Sequence, residues 1–224
     1  MKKKILVISA HPDDETLGCA GMVSHLVKYE GYTASIIFLS DGLSSRSKSS
    51  ISIKKRKRHS LEACKIIGFK NIKFENFPDN SFDTIPLLKI CKVLEKEISK
   101  IKPDIILTHN IDDLNVDHQL TSKATVTATR FYDLKKYKIL SYEILSSTGL
   151  NFHNNNNMFN GDYFFDISKT LEIKIKAIMA YKDEVRNFPH PRSIEGIKIL
   201  ANFRGMQTNL DFAECFKVIK IKEW

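Results

Sequence analysis

The apolar run Ile5-Leu6-Val7-Ile8 leads without a break into Ser9-Ala10-His11-Pro12-Asp13-Asp14-Glu15. Consecutive aliphatic residues, three of them β-branched, suit a strand buried on both faces, as in parallel sheets covered by helices on each side. Proline followed by acidic residues then suits a helix start, because proline fits the first helical position and carboxylates complement the helix dipole. The chain therefore opens with a strand–loop–helix unit whose loop carries an imidazole and two adjacent aspartates. Open α/β sheets bind their ligands at this carboxyl end of the strands. The His and one Asp there can supply two ligands to a cation, and the second Asp can face the cation's water.

The same alternation recurs along the chain. Strands are predicted over 2–9, 34–39, 71–77 and 105–108. A helix over 14–29 turns Leu17, Met22, Leu26 and Val27 inward. A polar loop over 44–52 leads into a long basic helix that stops at Ile67-Gly68, and Pro78-Asp79-Asn80 makes a turn before a helix over 87–101. The second half is less regular: strands over 138–145 and 163–167, a polar loop over 151–157, helices over 171–186 and 194–203, and a lysine-rich C-terminus with no assigned element. The pattern predicts one α/β domain over residues 1–224, Rossmann-like, with a mostly parallel sheet and helices on both faces.

Composition narrows the partners. With 224 residues, 42% hydrophobic and 27% charged, the chain has the make-up of an ordinary globular domain. Its net charge of +9 is concentrated in Lys54-Lys55-Arg56-Lys57-Arg58 and the two termini, with no nucleic-acid motif and no interleaved aromatics. That reads as a lysine-rich surface without a nucleic-acid partner, and a basic rim would favour an anionic substrate. Cys19, Cys64, Cys91 and Cys215 form no Cys-x-x-Cys pair and read as buried free thiols. No segment reaches the roughly 20 apolar residues of a membrane span, and the first apolar run is too short for a signal peptide. The expectation is a cytoplasmic enzyme without integral membrane association, with room for a homo-oligomer.

A second polar cluster follows the fourth strand: His109-Asn110-Ile111-Asp112-Asp113-Leu114-Asn115-Val116-Asp117-His118. If strands one and four are neighbours at the switch point, His11, Asp14 and His118 meet around one cation. Two imidazoles, one carboxylate and an open position describe a catalytic zinc site. The competing reading is a turn-rich loop that caps the next helix, with Asp117 only a helix-start residue.

Taken with Phe77-Pro78-Asp79-Asn80, His190-Pro191-Arg192-Ser193, Arg204-Gly205 and Ala213-Glu214-Cys215-Phe216, the two clusters resemble the PIG-L/LmbE-like zinc-dependent N-deacetylase family. The later blocks most resemble the branch acting on acetylated amino sugars. The resemblance implies Zn2+ on His11, Asp14 and His118, with Fe2+, Co2+ or Mn2+ as alternatives the same ligands accept. It implies Asp13 as general base and hydrolysis of an acetamide on a small-molecule sugar, in glycan or polysaccharide synthesis. Many relatives carry a histidine where this chain has Asn115, which leaves His109 and His190 as candidates for the missing acid or oxyanion donor. Candidate substrate contacts are Arg46, Arg56, Asp79, Asn115 and Arg192, with Arg192 foremost because its planar fork suits phosphate or several hydroxyls. The alternative substrates are a thiol-sugar conjugate or a non-sugar amide. A non-enzymatic phosphate- or nucleic-acid-binding module is disfavoured, since no Gly-x-Gly-x-x-Gly follows the first strand.

Overall fold

The computed structural model describes residues 2–43, 45, 50–131, 136–152 and 159–223, leaving aside the side chains of Ser50 and Ile51. Five strands, β1 (Lys4–Ser9), β2 (Thr33–Ser40), β3 (Phe69–Phe77), β4 (Ile105–His109) and β5 (Tyr137–Tyr142), pair in parallel. Two more, β6 (Tyr163–Asp166) and β7 (Ala213–Lys222), complete the sheet antiparallel, in the order β3-β2-β1-β4-β5-β7-β6. β1 and β4 are neighbours, with Ile5 opposite Ile105 and Val7 opposite Leu107. Their carboxyl ends therefore open side by side, where the strand order reverses.

Alternation along β1, buried from Ile5 onward, divides the core between two faces. Ile5 and Val7 pack against α1 (Asp14–Gly18), α2 (Ala20–Tyr29), α3 (Ser50–Ile67) and α6 (Leu171–Ala180), through Leu17, Met22, Cys64 and Ile178. Leu6 and Ile8 pack on the other face against α4 (Leu87–Ile101) and α5 (Val116–Ala128), through Ile90, Leu94, Ile98 and Ala124. The expected mostly parallel sheet with helices on both faces is the observed fold, and α7 (Ile194–Met206) packs over β7.

Three local expectations are corrected. The helix expected over 14–29 breaks at Cys19, and the one expected over 171–186 ends at Ala180. The C-terminus is strand β7, inserted between β5 and β6. Its long lysines concealed the strand pattern, since they fill the more exposed half from Lys217 to Lys222 while Ala213, Cys215 and Phe216 stay buried.

The break at Cys19 and the insertion of β7 are linked. Glu214 on β7 accepts the backbone N–H groups of Gly21 (2.8 Å) and Met22 (2.7 Å), which the first turn of α2 leaves without intrahelical partners. Lys174 on α6 pairs with Glu214 at 2.7 Å and donates to the Leu17 carbonyl at 2.8 Å, closing the end of α1. A strand almost 200 residues away thus caps the helix that follows the first polar cluster.

Candidate metal centre and its pocket

The loop after β1 is shaped by a backbone turn at Asp13, whose φ of 101° is unusual for a non-glycine residue. Glu15 holds that turn by accepting the Asp13 N–H at 3.0 Å, while Tyr181 donates to the other Glu15 oxygen at 2.7 Å. Burial pushes the Glu15 carboxyl up to about 8. The turn sends neighbouring carboxylates in different directions. Asp14 accepts the His11 backbone N–H at 2.8 Å and faces the histidines, whereas Asp13 faces two arginines.

His11 Nδ1, Asp14 and His118 Nε2 converge. His11 Nδ1 lies 3.3 Å from His118 Nε2 and 3.5 Å from Asp14 Oδ2, and His118 Nε2 lies 3.4 Å from Asp14 Oδ1. Ligands held tetrahedrally at about 2.0–2.1 Å from a cation stand about 3.3–3.4 Å apart, so the donor set fits zinc in both chemistry and spacing. Each imidazole is oriented through its far nitrogen by a second aspartate: His11 Nε2 by Asp117 at 2.9 Å and His118 Nδ1 by Asp113 at 3.1 Å. Carboxylate–histidine pairs of this kind fix the ligand tautomer. A further cluster, His11, Asp79 and Asp117, has metal-like spacing. There, however, the Asp117 oxygens already accept the backbone N–H groups of Asn80 (2.7 Å) and Phe82 (2.9 Å).

The protonation behaviour of the metal-free cluster follows from these contacts. Burial opposes charge on His11, but Asp117 and Asp14 outweigh it and raise the imidazole to about 9. His118, buried but facing Asp14 and Asp113, is raised to about 10. Asp14 is held well below the usual carboxylate range, its burial outweighed by the charge of His118.

A cavity of about 270 Å³ opens onto the cluster. That is near the lower end of the roughly 300–1,000 Å³ typical of small-molecule sites. Its lining brings together His11, Asp13, Asp14 and His118 with Arg56, Asp79, Asn115 and Arg192. Asp13 Oδ2 accepts from Arg192 Nη1 (2.9 Å) and lies 3.1 Å from Arg56 Nη2. Glu184 bridges the same two guanidinium groups at 2.7 and 2.8 Å. Both arginines are therefore anchored to carboxylates: Arg56 is almost wholly buried, and Arg192 also donates to Ser146 Oγ at 3.0 Å. Asp79 accepts from the Ser45 backbone N–H at 3.1 Å and lies 3.3 Å from His11 Nε2. Asn115 caps α5, its Oδ1 accepting the Asp117 N–H at 2.8 Å.

Two expected participants lie elsewhere. His109 is fully buried behind His118, with ring centroids 3.9 Å apart, and its Nε2 accepts the Ala10 N–H at 2.9 Å. Burial and the His118 charge hold it down to about 4, so it stays neutral. Tyr142 packs on the far side of His109, and only glycine at position 18 leaves room for its ring, since a Cβ there would collide with it. His190 is exposed, and its Nδ1 accepts the Arg192 backbone N–H at 3.0 Å. Arg46 lies outside the described residues, as does most of the 151–157 loop. Sequence reasoning missed Asp113, Glu184 and the orienting part played by Asp117. The first and third sit inside the second polar cluster, but nothing local marks Glu184.

The fold and site define a class: a doubly wound α/β protein with a His/Asp/His cluster that could hold a cation at the switch point and a carboxylate beside it. Residues 6–129, just over half of the chain, match the family model PIG-L, described as GlcNAc-PI de-N-acetylase, and the chain belongs to that family. Among solved structures it is similar to the N,N'-diacetylchitobiose deacetylase of Pyrococcus horikoshii, with TM-score 0.79 and 20% identity over 97% of this chain and 84% of that one. It is also similar to a teicoplanin deacetylase, Orf2, in its zinc-inhibited form (TM-score 0.75, 11% identity, 98% of both chains). GalB, the 4-carboxy-2-hydroxymuconate hydratase of Pseudomonas putida KT2440, shares the fold as well (TM-score 0.76, 20% identity, 97% and 96%). At these identities the structural likeness concerns the fold. Among the described residues, no helix is long and apolar enough to cross a membrane.

Proposed function

We propose that residues 1–224 form one metal-dependent N-deacetylase domain that removes acetyl from an N-acetylated amino sugar in glycan or polysaccharide synthesis, with zinc as the native ion and the cytoplasm as its location. The observation that carries the reading is the tetrahedral spacing of His11, Asp14 and His118 beside a separately held Asp13 in one cavity. His11, Asp14 and His118 hold the cation, with Asp117 and Asp113 orienting the two imidazoles. A divalent ion bound there supplies acidity that ionises water near neutral pH and charge that polarises a carbonyl.

Asp13 is the general base. Ion pairs with Arg56 and Arg192 hold its carboxylate in position. It takes a proton from water as the new C–O bond forms and the carbonyl π pair moves onto oxygen. It returns that proton to nitrogen as the C–N bond breaks, leaving acetic acid and an amine, and the acid's remaining proton passes to the amine or to solvent to give acetate. The arginines serve this carboxylate first, and the substrate's hydroxyls meet the cavity wall formed by Asp79 and Asn80.

The test is acetate release from N-acetylated sugars, nucleotide sugars, thiol-sugar conjugates and simple acetamides. Chelated protein is included, together with protein restored by one equivalent of zinc, because a protein of this fold is described in a zinc-inhibited form. Acetate that disappears on chelation and returns with metal supports the reading, and the preferred acetamide names the substrate. No acetate from protein carrying one metal per chain rejects it.

A further inference from the structure

Amide hydrolysis passes through a tetrahedral oxyanion, and a donor placed for that oxygen contributes more in the transition state than in the ground state. The cavity contains few donors free to serve. Arg56 and Arg192 are both tied to Asp13 and Glu184, and turning either away would strip the base of its partner. Among the described residues, the only imidazoles lining the cavity are those of His11 and His118. Ser147 donates to Asp113 at 2.9 Å. Asn80 spends both N–H groups of Nδ2, on Ser45 Oγ at 3.1 Å and Asp79 Oδ1 at 3.3 Å.

Asn115 differs. Its N-cap bond to the Asp117 N–H requires Oδ1 to be the acceptor, which settles which end of the amide is nitrogen. One N–H of Nδ2 goes to Asn80 Oδ1 at 3.2 Å, and the other meets no acceptor among the described residues. The cap and the Asn80 contact hold the group rigidly, three residues before His118 on the same helix. Ser146 also has a hydroxyl proton to give, but its oxygen is bound to Arg192, on the Asp13 side of the cavity.

Building on the deacetylase reading above, we propose that the Asn115 carboxamide is the oxyanion donor of this enzyme, a neutral N–H in place of an imidazole. It is supplied by a side chain that already caps α5.

Asn115→Ser tests this, because serine is an equally good helix cap but cannot extend an N–H into the cavity. Asn115→Asp is the second variant: it keeps the size and the cap acceptor and replaces the donor by a lone pair. Binding of N-methylphosphonyl glucosamine, whose tetrahedral phosphorus mimics the intermediate, is measured calorimetrically on zinc-loaded protein, with glucosamine as the ground-state reference. The expectation for both variants is a loss of phosphonyl affinity and of kcat by the same factor, about 10²–10³-fold. Zinc stoichiometry, glucosamine affinity and KM stay at parent values. Parent-level phosphonyl affinity in both variants, or a loss found with Ser146→Ala instead, overturns the assignment while leaving the deacetylase reading intact. If the parent protein neither binds the phosphonyl sugar nor releases acetate, the deacetylase reading fails and this inference fails with it.

Discussion

Asp117 and His11 form a fixed pair: Asp117 Oδ2 lies 2.9 Å from His11 Nε2, and the two Asp117 oxygens also take the backbone N–H groups of Asn80 and Phe82. The carboxylate is thus locked by the loop after β3, and it leaves His11 Nδ1 directed at Asp14 and His118. A residue beside His118 in sequence therefore orients His11, across the switch point.

Asp117→Asn tests that lock. An amide at this position offers N–H groups as well as an acceptor, so the His11 tautomer is no longer dictated. Zinc affinity should fall about 10–100-fold, the range for losing such a partner. Competition with a calibrated chelator measures it, and an unchanged affinity would show that Asp117 serves only the loop.

Asp13→Asn separates base from ligand. The substituted carboxamide keeps the volume but cannot take a proton, so turnover should fall by at least about 10²–10⁴-fold. Metal content, read by elemental analysis, should stay at the parent value. His118→Ala or Asp14→Ala should instead lose the metal itself.

Metal and protons compete for the same atoms. In metal-free protein His11 and His118 titrate near 9 and 10, above the ordinary value of 6.5. Groups raised on folding stabilise fully below their unfolded value, and that contribution fades as pH climbs through the folded values. Metal-free protein should therefore lose thermal stability between about pH 7 and 10, with a smaller loss once zinc occupies the site. Zinc affinity should rise over the same interval, because uptake must expel these protons. Melting temperatures and chelator competition across the series give both slopes.

Glu214→Ala removes the cap of α2 and leaves the buried Lys174 ammonium without its partner. Breaking a buried pair from one side costs about 3–5 kcal/mol. Urea unfolding should show a loss of this size. Metal affinity should weaken too, because α1 and its Asp14 are anchored through the same pair. A loss below about 1 kcal/mol would mean that water reaches Lys174 freely.

Much of this architecture was readable along the chain, because the relevant forces act locally. The β1 run Ile5–Ile8 is apolar on both faces, so it had to be an interior strand, and His11, Asp14 and His118 lie in the loops and first helical turns that follow β1 and β4, the side on which an open sheet gathers its ligands. The elements that were misread depend on distant partners. Cys19 interrupts a helical pattern only because Glu214 arrives from β7 to cap the new N-terminus. β7 is a strand only because β5 and β6 flank it, and its lysines otherwise signal an exposed tail.

By itself, then, the sequence determined the doubly wound sheet, the metal ligands proposed here and the separation of Asp13 from Asp14, since periodicity and short-range turn chemistry are written in neighbouring residues. Only the tertiary structure decided which side chains reach the cavity. His109, the first residue of the second cluster, is withdrawn behind His118 by its bond to Ala10, whereas Glu184, which no motif marks, joins Arg56 and Arg192 around the base. Hydrogen-bond partners and burial come from residues far apart in the chain, and no local pattern encodes them.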